Sequence, residues 1–188
     1  MNIVRCPWLT NDPEYIHYHD HEWGRVNQND QYLFELLCLE GQQAGLSWIT
    51  ILKKRIGYRE CFHNFNAPKI VQISNREIDF LMQDNRIIKN RSKILSIIEN
   101  AKSYLAIQEK QLFSDFLWEI VNHKPIINHW NDMSQVPTQT DLSSKMSKRL
   151  KKAGFKFVGP TICYAFMQAC GMVNDHLTTC FCHPDYND

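Results

Sequence analysis

No apolar run in this 188-residue chain approaches the roughly twenty residues that a membrane-crossing helix needs. The opening residues, Met-Asn-Ile-Val-Arg-Cys-Pro-Trp, also lack a secretory h-region. Together these absences exclude a helical membrane protein and lead us to expect a cytoplasmic chain with no membrane partner. Sustained period-two alternation of β-branched residues is missing, no repeat recurs at a fixed period, and no segment is low in complexity. The expected fold class is therefore all-α. A charge excess is absent as well: 21 Lys and Arg face 20 Asp and Glu, so the net charge of +1 does not by itself advertise a polyanionic partner. Disulfides as a full framework are excluded by the odd count of seven cysteines in a reducing compartment, which leaves core packing or metal ligation.

What is present is ordinary globular composition, 44% apolar and 22% charged. It suits one compact domain over residues 1–188, or two lobes sharing a core, and we expect a monomer. Residues 1–30 are rich in aromatics and histidines and are punctuated by Pro7, Pro13 and Gly24, which predicts short turns in need of an external staple. From Asp30, a candidate N-cap, Leu33, Leu36, Leu37 and Glu40 recur on one helical face. Ser47 can cap a second helix, with Lys53, Lys54 and Arg55 at its positive-seeking C-terminal end. Asn66-Ala-Pro marks a turn before two short helices separated by Ser74-Asn75. A long helix is predicted over Arg91–Ile107, and another begins near Phe113 and ends at Pro125. Residues 124–140 read as a loop, and Leu142, Met146 and Leu150 define a basic amphipathic helix ending at Gly154. That helix belongs to a local excess that the total conceals: Lys145, Lys148, Arg149, Lys151, Lys152 and Lys156 fall within twelve residues.

Three stretches carry chemistry. Leu39–Thr50 places Glu40, Gln42, Gln43, Gly41, Gly45 and Trp48 between apolar helical runs. Its polar groups cost free energy when buried unpartnered and its glycines each weaken a helix by roughly 1 kcal/mol, so the stretch reads as built around a ligand. Ala153–Thr161 forms a tight helix-turn-helix hairpin. Pro160 suits the first helical position, and free N–H groups near Gly159 suit a phosphate. Finally, Cys6 and His19 near one end, with His176 and Cys180 at i, i+4 near the other, offer the two nitrogens and two thiolates of a closed tetrahedral zinc site. His17, His21, Cys182 and His183 compete for the same roles.

Tyr15-Ile-His-Tyr-His-Asp-His-Glu-Trp-Gly, Leu39-Glu-Gly-Gln-Gln-Ala-Gly-Leu-Ser-Trp, Gly154-Phe-Lys-Phe-Val-Gly and Val173-Asn-Asp-His closely resemble the 3-methyladenine DNA glycosylase I family, from about Cys6 to Cys182. The resemblance implies the helix-hairpin-helix glycosylase architecture. Its hairpin would grip double-stranded alkylated DNA, here through Lys152, Lys156, Gly159 and Thr161. It implies one structural zinc on Cys6, His19, His176 and Cys180, and a base pocket of Tyr18, Trp23, Glu40 and Trp48, with Glu40 the candidate catalytic group. The implied reaction is hydrolysis of the N-glycosidic bond of N3-methylated adenine, releasing free 3-methyladenine without strand cleavage. Asp175 stands near where related glycosylases carry a catalytic aspartate, but its neighbour His176 is a zinc candidate, so we do not assign it that role. Two readings of other classes compete. A helical His-Asp phosphohydrolase is suggested by His17, His19-Asp20, His21 and Asp175-His176, although thiolates do not suit its open metal site. The other is a non-catalytic, zinc-stapled DNA-binding module.

Overall fold

Pro13 starts a helix where the sequence suggested a break. In the computed structural model, which describes residues 3–186, Asp12 accepts hydrogen bonds from the N–H groups of Glu14 and Tyr15 and Pro13 occupies the first turn of α1 (Pro13–His21). A proline there loses no helical hydrogen bond, because that N–H would be unpaired anyway. A shift of one residue also corrects the next cap. Asn29, not Asp30, caps α2 (Asp30–Gln42) by accepting from Tyr32 N. The Asp30 carboxylate instead reaches across the fold to the N–H groups of Phe113 and Ser114, at 2.9 and 2.8 Å.

α3 (Trp48–Leu52) is short, and Lys53-Lys54 lead directly into α4 (Arg55–Cys61), so Arg55 opens a helix instead of closing one. Asn66 is more than a turn: it caps α5 (Ala67–Ile70), and Ser74 with Glu77 forms a reciprocal capping box at α6 (Asn75–Leu81). The predicted long helix is α7 (Arg91–Gln108). α8 (Phe113–Trp118) continues as a 3₁₀ turn to Val121 and stops at Asn122, whose left-handed φ of 52° ends it before Pro125 is reached. The 124–140 loop holds β1 (Ile126–Ile127), paired in parallel with β2 (Val173–Asn174), as Ile126 to Val173 and Ile127 to Asn174. Two-residue strands are too short for an alternating pattern to reveal. α9 (Asp141–Lys152) and α10 (Pro160–Ala169) flank the hairpin.

The element that positions the site is α2. It is buried continuously from Leu33 to Gln42 and packs against α7, α8 and α10. At its end the hairpin comes so close that a Cβ on Gly41 would lie 3.1 Å from the Phe157 Cβ. Gly45 serves a different need, a left-handed turn at φ +76° into open space. The turn is held from behind by Lys93, only 6% exposed, whose ammonium donates to the carbonyls of Gln42 and Ala44 at 2.7 and 2.8 Å. A cation at the carbonyl end of a helix is favourably placed. Burial nevertheless holds its pKa below the ordinary lysine value. Gln42 is structural: its amide donates to the Lys93 carbonyl and accepts from the Tyr58 hydroxyl. Among the described residues, no helix is long and apolar enough to cross a membrane.

Candidate active site

The C-terminal half of α2, the start of α3, the N-terminal segment and α10 enclose a cleft of about 280 Å³. Tyr18, Trp23, Glu40 and Trp48, the four residues that the family resemblance names, all line it, together with Trp8, Tyr15, Gln43, Ala165, Gln168 and the loop residues Met133, Val136 and Pro137. The aromatic rings brace one another. Tyr18 and Trp48 lie 5.5 Å apart between centroids, Trp8 and Tyr15 5.0 Å, and Trp8 and Trp23 5.1 Å at a near-perpendicular 70°.

Glu40 is 2% exposed and forms no ion pair among the described residues. A helix salt bridge with a lysine would have been the ordinary role for such a carboxylate, but Lys93 spends its protons on backbone carbonyls. Burial without a counter-charge pushes the Glu40 pKa up to about 8. The Tyr18 and Tyr15 hydroxyls are also shifted up, chiefly by burial and then by the neighbouring Glu40.

Among the described residues, three buried side-chain nitrogens or oxygens have no hydrogen-bond partner: Trp8 Nε1, Trp48 Nε1 and Glu40 Oε2. All three belong to residues lining this one cleft. Each unpaired group costs about 1–3 kcal/mol, so two indole donors and one carboxyl oxygen wait on an aromatic-walled space. The cleft is prepared for a planar ligand that both accepts and donates hydrogen bonds.

Beside it, Cys6, His19, His176 and Cys180 bring one ligand atom each to within 4.8 Å of one another, all four side chains being buried. Each imidazole is oriented from its far side. His19 Nδ1 lies 2.8 Å from Asp20, itself paired with Arg5, and His176 Nε2 lies 3.0 Å from the Trp23 carbonyl. That leaves His19 Nε2 and His176 Nδ1 facing Cys180 Sγ at 3.5 and 3.6 Å. Hydrogen bonds with the Cys182 and Cys6 thiols draw the Cys180 thiol well below its ordinary pKa. Of the competing candidates, Cys182 lies at the edge of this cluster, forming a second group with His19 and Asp20, and the histidines fall elsewhere. His183 bonds the Asn128 carbonyl and the Asp185 N–H. Cys182 faces the carbonyls of His19 and Asp20. His17 and His21 lie against each other with tilted rings 4.7 Å apart and join no such cluster, which removes the histidine set that a His-Asp phosphohydrolase requires. Asp175 is sealed by four donors: Asn128 and Trp130 on Oδ1, Tyr164 and Gln168 on Oδ2, all at 2.6–2.7 Å.

At the hairpin, Lys152, Lys156 and Thr161 are exposed and Gly159 is half-exposed. Gly159 provides no side-chain cap to α10, so the first amides of that helix face outward. Asn100 clamps the hairpin by bonding both the N–H and the carbonyl of Lys156. Arg149 departs from the basic run, turning inward to Glu119 and to the Phe116 ring at 4.3 Å. Sequence reasoning missed Trp8, Tyr15 and Gln168. Trp8 follows Cys6 by two positions and Tyr15 precedes Tyr18 by three, spacings that place each beside a residue already singled out.

The chain matches the Methyladenine glycosylase family over residues 8–183. It is 52% identical over 183 residues to DNA-3-methyladenine glycosylase 1 of Escherichia coli (strain K12), covering 97% of this chain and 98% of the relative. It is 54% identical over 180 residues to DNA-3-methyladenine glycosylase of Haemophilus influenzae, covering 95% and 97%. Among solved structures, a crystal structure of 3-methyladenine DNA glycosylase I superposes with a TM-score of 0.95 at 52% identity, over 96% of this chain and 100% of that one. A variant of 3-methyladenine DNA glycosylase I in complex with 3-methyladenine superposes with a TM-score of 0.92 at 41% identity, over 97% and 99%.

Proposed function

Because the chain belongs to the methyladenine glycosylase family, we propose that its cleft performs the family's chemistry through the residues described above. The protein is a DNA-3-methyladenine glycosylase, excising the alkylated base from DNA. The observation that carries the assignment to this cleft is the coincidence of all three unpartnered buried polar atoms with one aromatic box.

An adenine methylated at N3 is cationic in the nucleotide, so it is already a good leaving group. The damaged nucleotide leaves the duplex at a cost of a few kcal/mol, less where pairing is weakened. Trp48 takes the base face, a contact worth about 0.5–2 kcal/mol for a cation and less for neutral adenine. Glu40, protonated in the empty cleft near neutral pH because its pKa is about 8, meets a positive charge when the base enters and ionises against it. A neutral adenine offers no such compensation, which makes Glu40 an electrostatic selector more than a general base. Tyr18 and Trp23 complete the walls, and the indole N–H groups of Trp8 and Trp48 meet acceptors on the base. Among the described residues no lysine lines the cleft to form a Schiff base, so base release proceeds without strand cleavage.

The hairpin is the DNA grip of a helix-hairpin-helix glycosylase. Outward amides at the start of α10 and the exposed Lys152 and Lys156 hold the backbone without reading sequence. Cys6, His19, His176 and Cys180 would hold one zinc ion. The donor set fits, since two thiols and two imidazoles are preassembled and each imidazole is oriented by an outer hydrogen bond. With no open position the ion would be structural. Its place fastens the N-terminal segment carrying Trp8 to the C-terminal one, next to the Trp23 carbonyl that His176 meets.

The test is release of free 3-methyladenine from methylated duplex DNA, followed by chromatography. Wild-type protein that leaves the base in place would sink the proposal. Base release accompanied by strand cleavage would sink the monofunctional part.

A further inference from the structure

Gln168 stands in the cleft wall with its amide orientation forced. Its Nε2 donates to Asp175 Oδ2 at 2.7 Å, and the same carboxylate takes the Tyr164 hydroxyl at 2.6 Å on that oxygen and the N–H groups of Asn128 and Trp130 on the other. In all four contacts the Asp175 oxygens accept, so the amide nitrogen faces Asp175 and the amide oxygen faces away from it. The Gln168 carbonyl also accepts the Gly24 N–H at 2.9 Å, which fixes the residue at both ends. Asp175 is completely buried, whereas Gln168 is half-buried and lines the cleft. Gln43, the other amide in the wall, has no side-chain partner of this kind among the described residues.

We propose that Gln168 Oε1 holds the nucleophilic water against the anomeric carbon, with Asp175 as the positioning residue behind it; this rests on the glycosylase reading above. The deep polar groups, Glu40 and the Trp48 indole, are buried and belong to the base. Gln168 lies nearer solvent, on the helix whose first turn grips the backbone to which the sugar stays attached. Ala165, three residues nearer that turn, is small and lines the same cleft. An amide oxygen accepts a hydrogen bond from water but cannot take its proton, and this reaction does not need it to. The C1′–N9 bond breaks with its electron pair leaving on the cationic base, which departs neutral. Water oxygen forms the new bond to C1′, and its proton passes to solvent. Cationic nucleotide and water thus give an abasic site, neutral 3-methyladenine and one proton.

The experiment is single-turnover excision by Gln168→Met and Gln168→Asn on methylated duplex DNA containing a fixed fraction of methanol. Affinity for free 3-methyladenine is measured in parallel by tryptophan fluorescence, and thermal midpoints report folding. We expect the excision rate of Gln168→Met to fall about 10- to 100-fold and its methanol-to-water trapping ratio to rise severalfold. Free-base affinity should stay within about twofold of wild type, and Gln168→Asn should fall between the two proteins. A rate within twofold of wild type overturns the proposal. So does an unchanged trapping ratio, or a loss of free-base affinity in proportion to rate, which would make Gln168 a reader of the base. If wild type itself released no 3-methyladenine, the glycosylase reading would fall instead, a result separate from any of these.

Discussion

Replacing Glu40 by Gln should stabilise this protein, and by an amount that grows with pH. The carboxyl is buried without a counter-charge, and its pKa rises from an ordinary 4.5 to about 8. At about 1.4 kcal/mol per pH unit, that rise corresponds to a ceiling of roughly 5 kcal/mol against the ionised form. The sign follows from proton binding. Between pH 4.5 and 8 the folded protein holds a proton on Glu40 that the unfolded chain has released, so stability falls as pH rises through this window. Below 4.5 both states are protonated and nothing is lost. Water entering the cleft reduces the ceiling, leaving about 2–5 kcal/mol, or about 5–15 °C for a chain of this length. The assay is paired thermal melts of wild type and Glu40→Gln at steps from pH 4.5 to 8.5. Every other titrating group, the cysteine and histidine cluster included, is common to both proteins and cancels in the difference. The variant should match wild type near pH 4.5 and exceed it by 5–15 °C at pH 8, while its excision rate falls about 10- to 100-fold, the loss of one charged hydrogen bond. A constant gap, or a variant that melts lower at pH 8, would refute the argument that Glu40 is an unpaired carboxyl stored for a cationic ligand.

Three further outcomes follow from the same geometry. Trp48→Ala should weaken binding of free 3-methyladenine about 5- to 150-fold, the roughly 1–3 kcal/mol of a base stacked on an aromatic face, while leaving nonspecific duplex affinity unchanged in a fluorescence anisotropy titration. Cys180→Ser should lower bound zinc, measured by mass spectrometry of the metal, from one ion per chain towards none. It should also lower the thermal midpoint, since Cys180 faces both imidazoles; full zinc content in the variant would contradict the assignment. Lys152→Glu with Lys156→Glu should weaken binding to every duplex alike and reduce the salt slope, as expected of backbone contacts, without changing which base is released.

Glu40 was legible from sequence because a carboxylate continuing an apolar stripe has few ordinary explanations, and the burial of Leu33 through Gln42 makes that oddity concrete. The grouping of Cys6, His19, His176 and Cys180 was legible from residue type and the i, i+4 step of the last pair. Their convergence across the chain required the fold. Trp8 and Tyr15 were hidden because aromatics in an irregular segment look like packing, and only the unpaired Trp8 indole distinguishes a ligand wall from core. Gln168 carried no signal at all, since its meaning lies in the orientation imposed by Asp175 seven residues on. Local rules misplaced boundaries where two caps compete: Asn29 took the role assigned to Asp30, and Asn122 turned the chain ahead of Pro125. The pairing of Ile126–Ile127 with Val173–Asn174 is a tertiary contact with no local period to betray it.

The central claim is that the unpaired polar atoms of the cleft await the base, and the indole N–H resonances test it directly. In a titration of ¹⁵N-labelled protein with free 3-methyladenine, the Trp8 and Trp48 indole signals should move. Those of Trp118 and Trp130, already bonded to the Asn27 carbonyl and to Asp175, should stay in place. Stationary Trp8 and Trp48 signals at saturating base, or shifts confined to Trp118 and Trp130, would contradict the account.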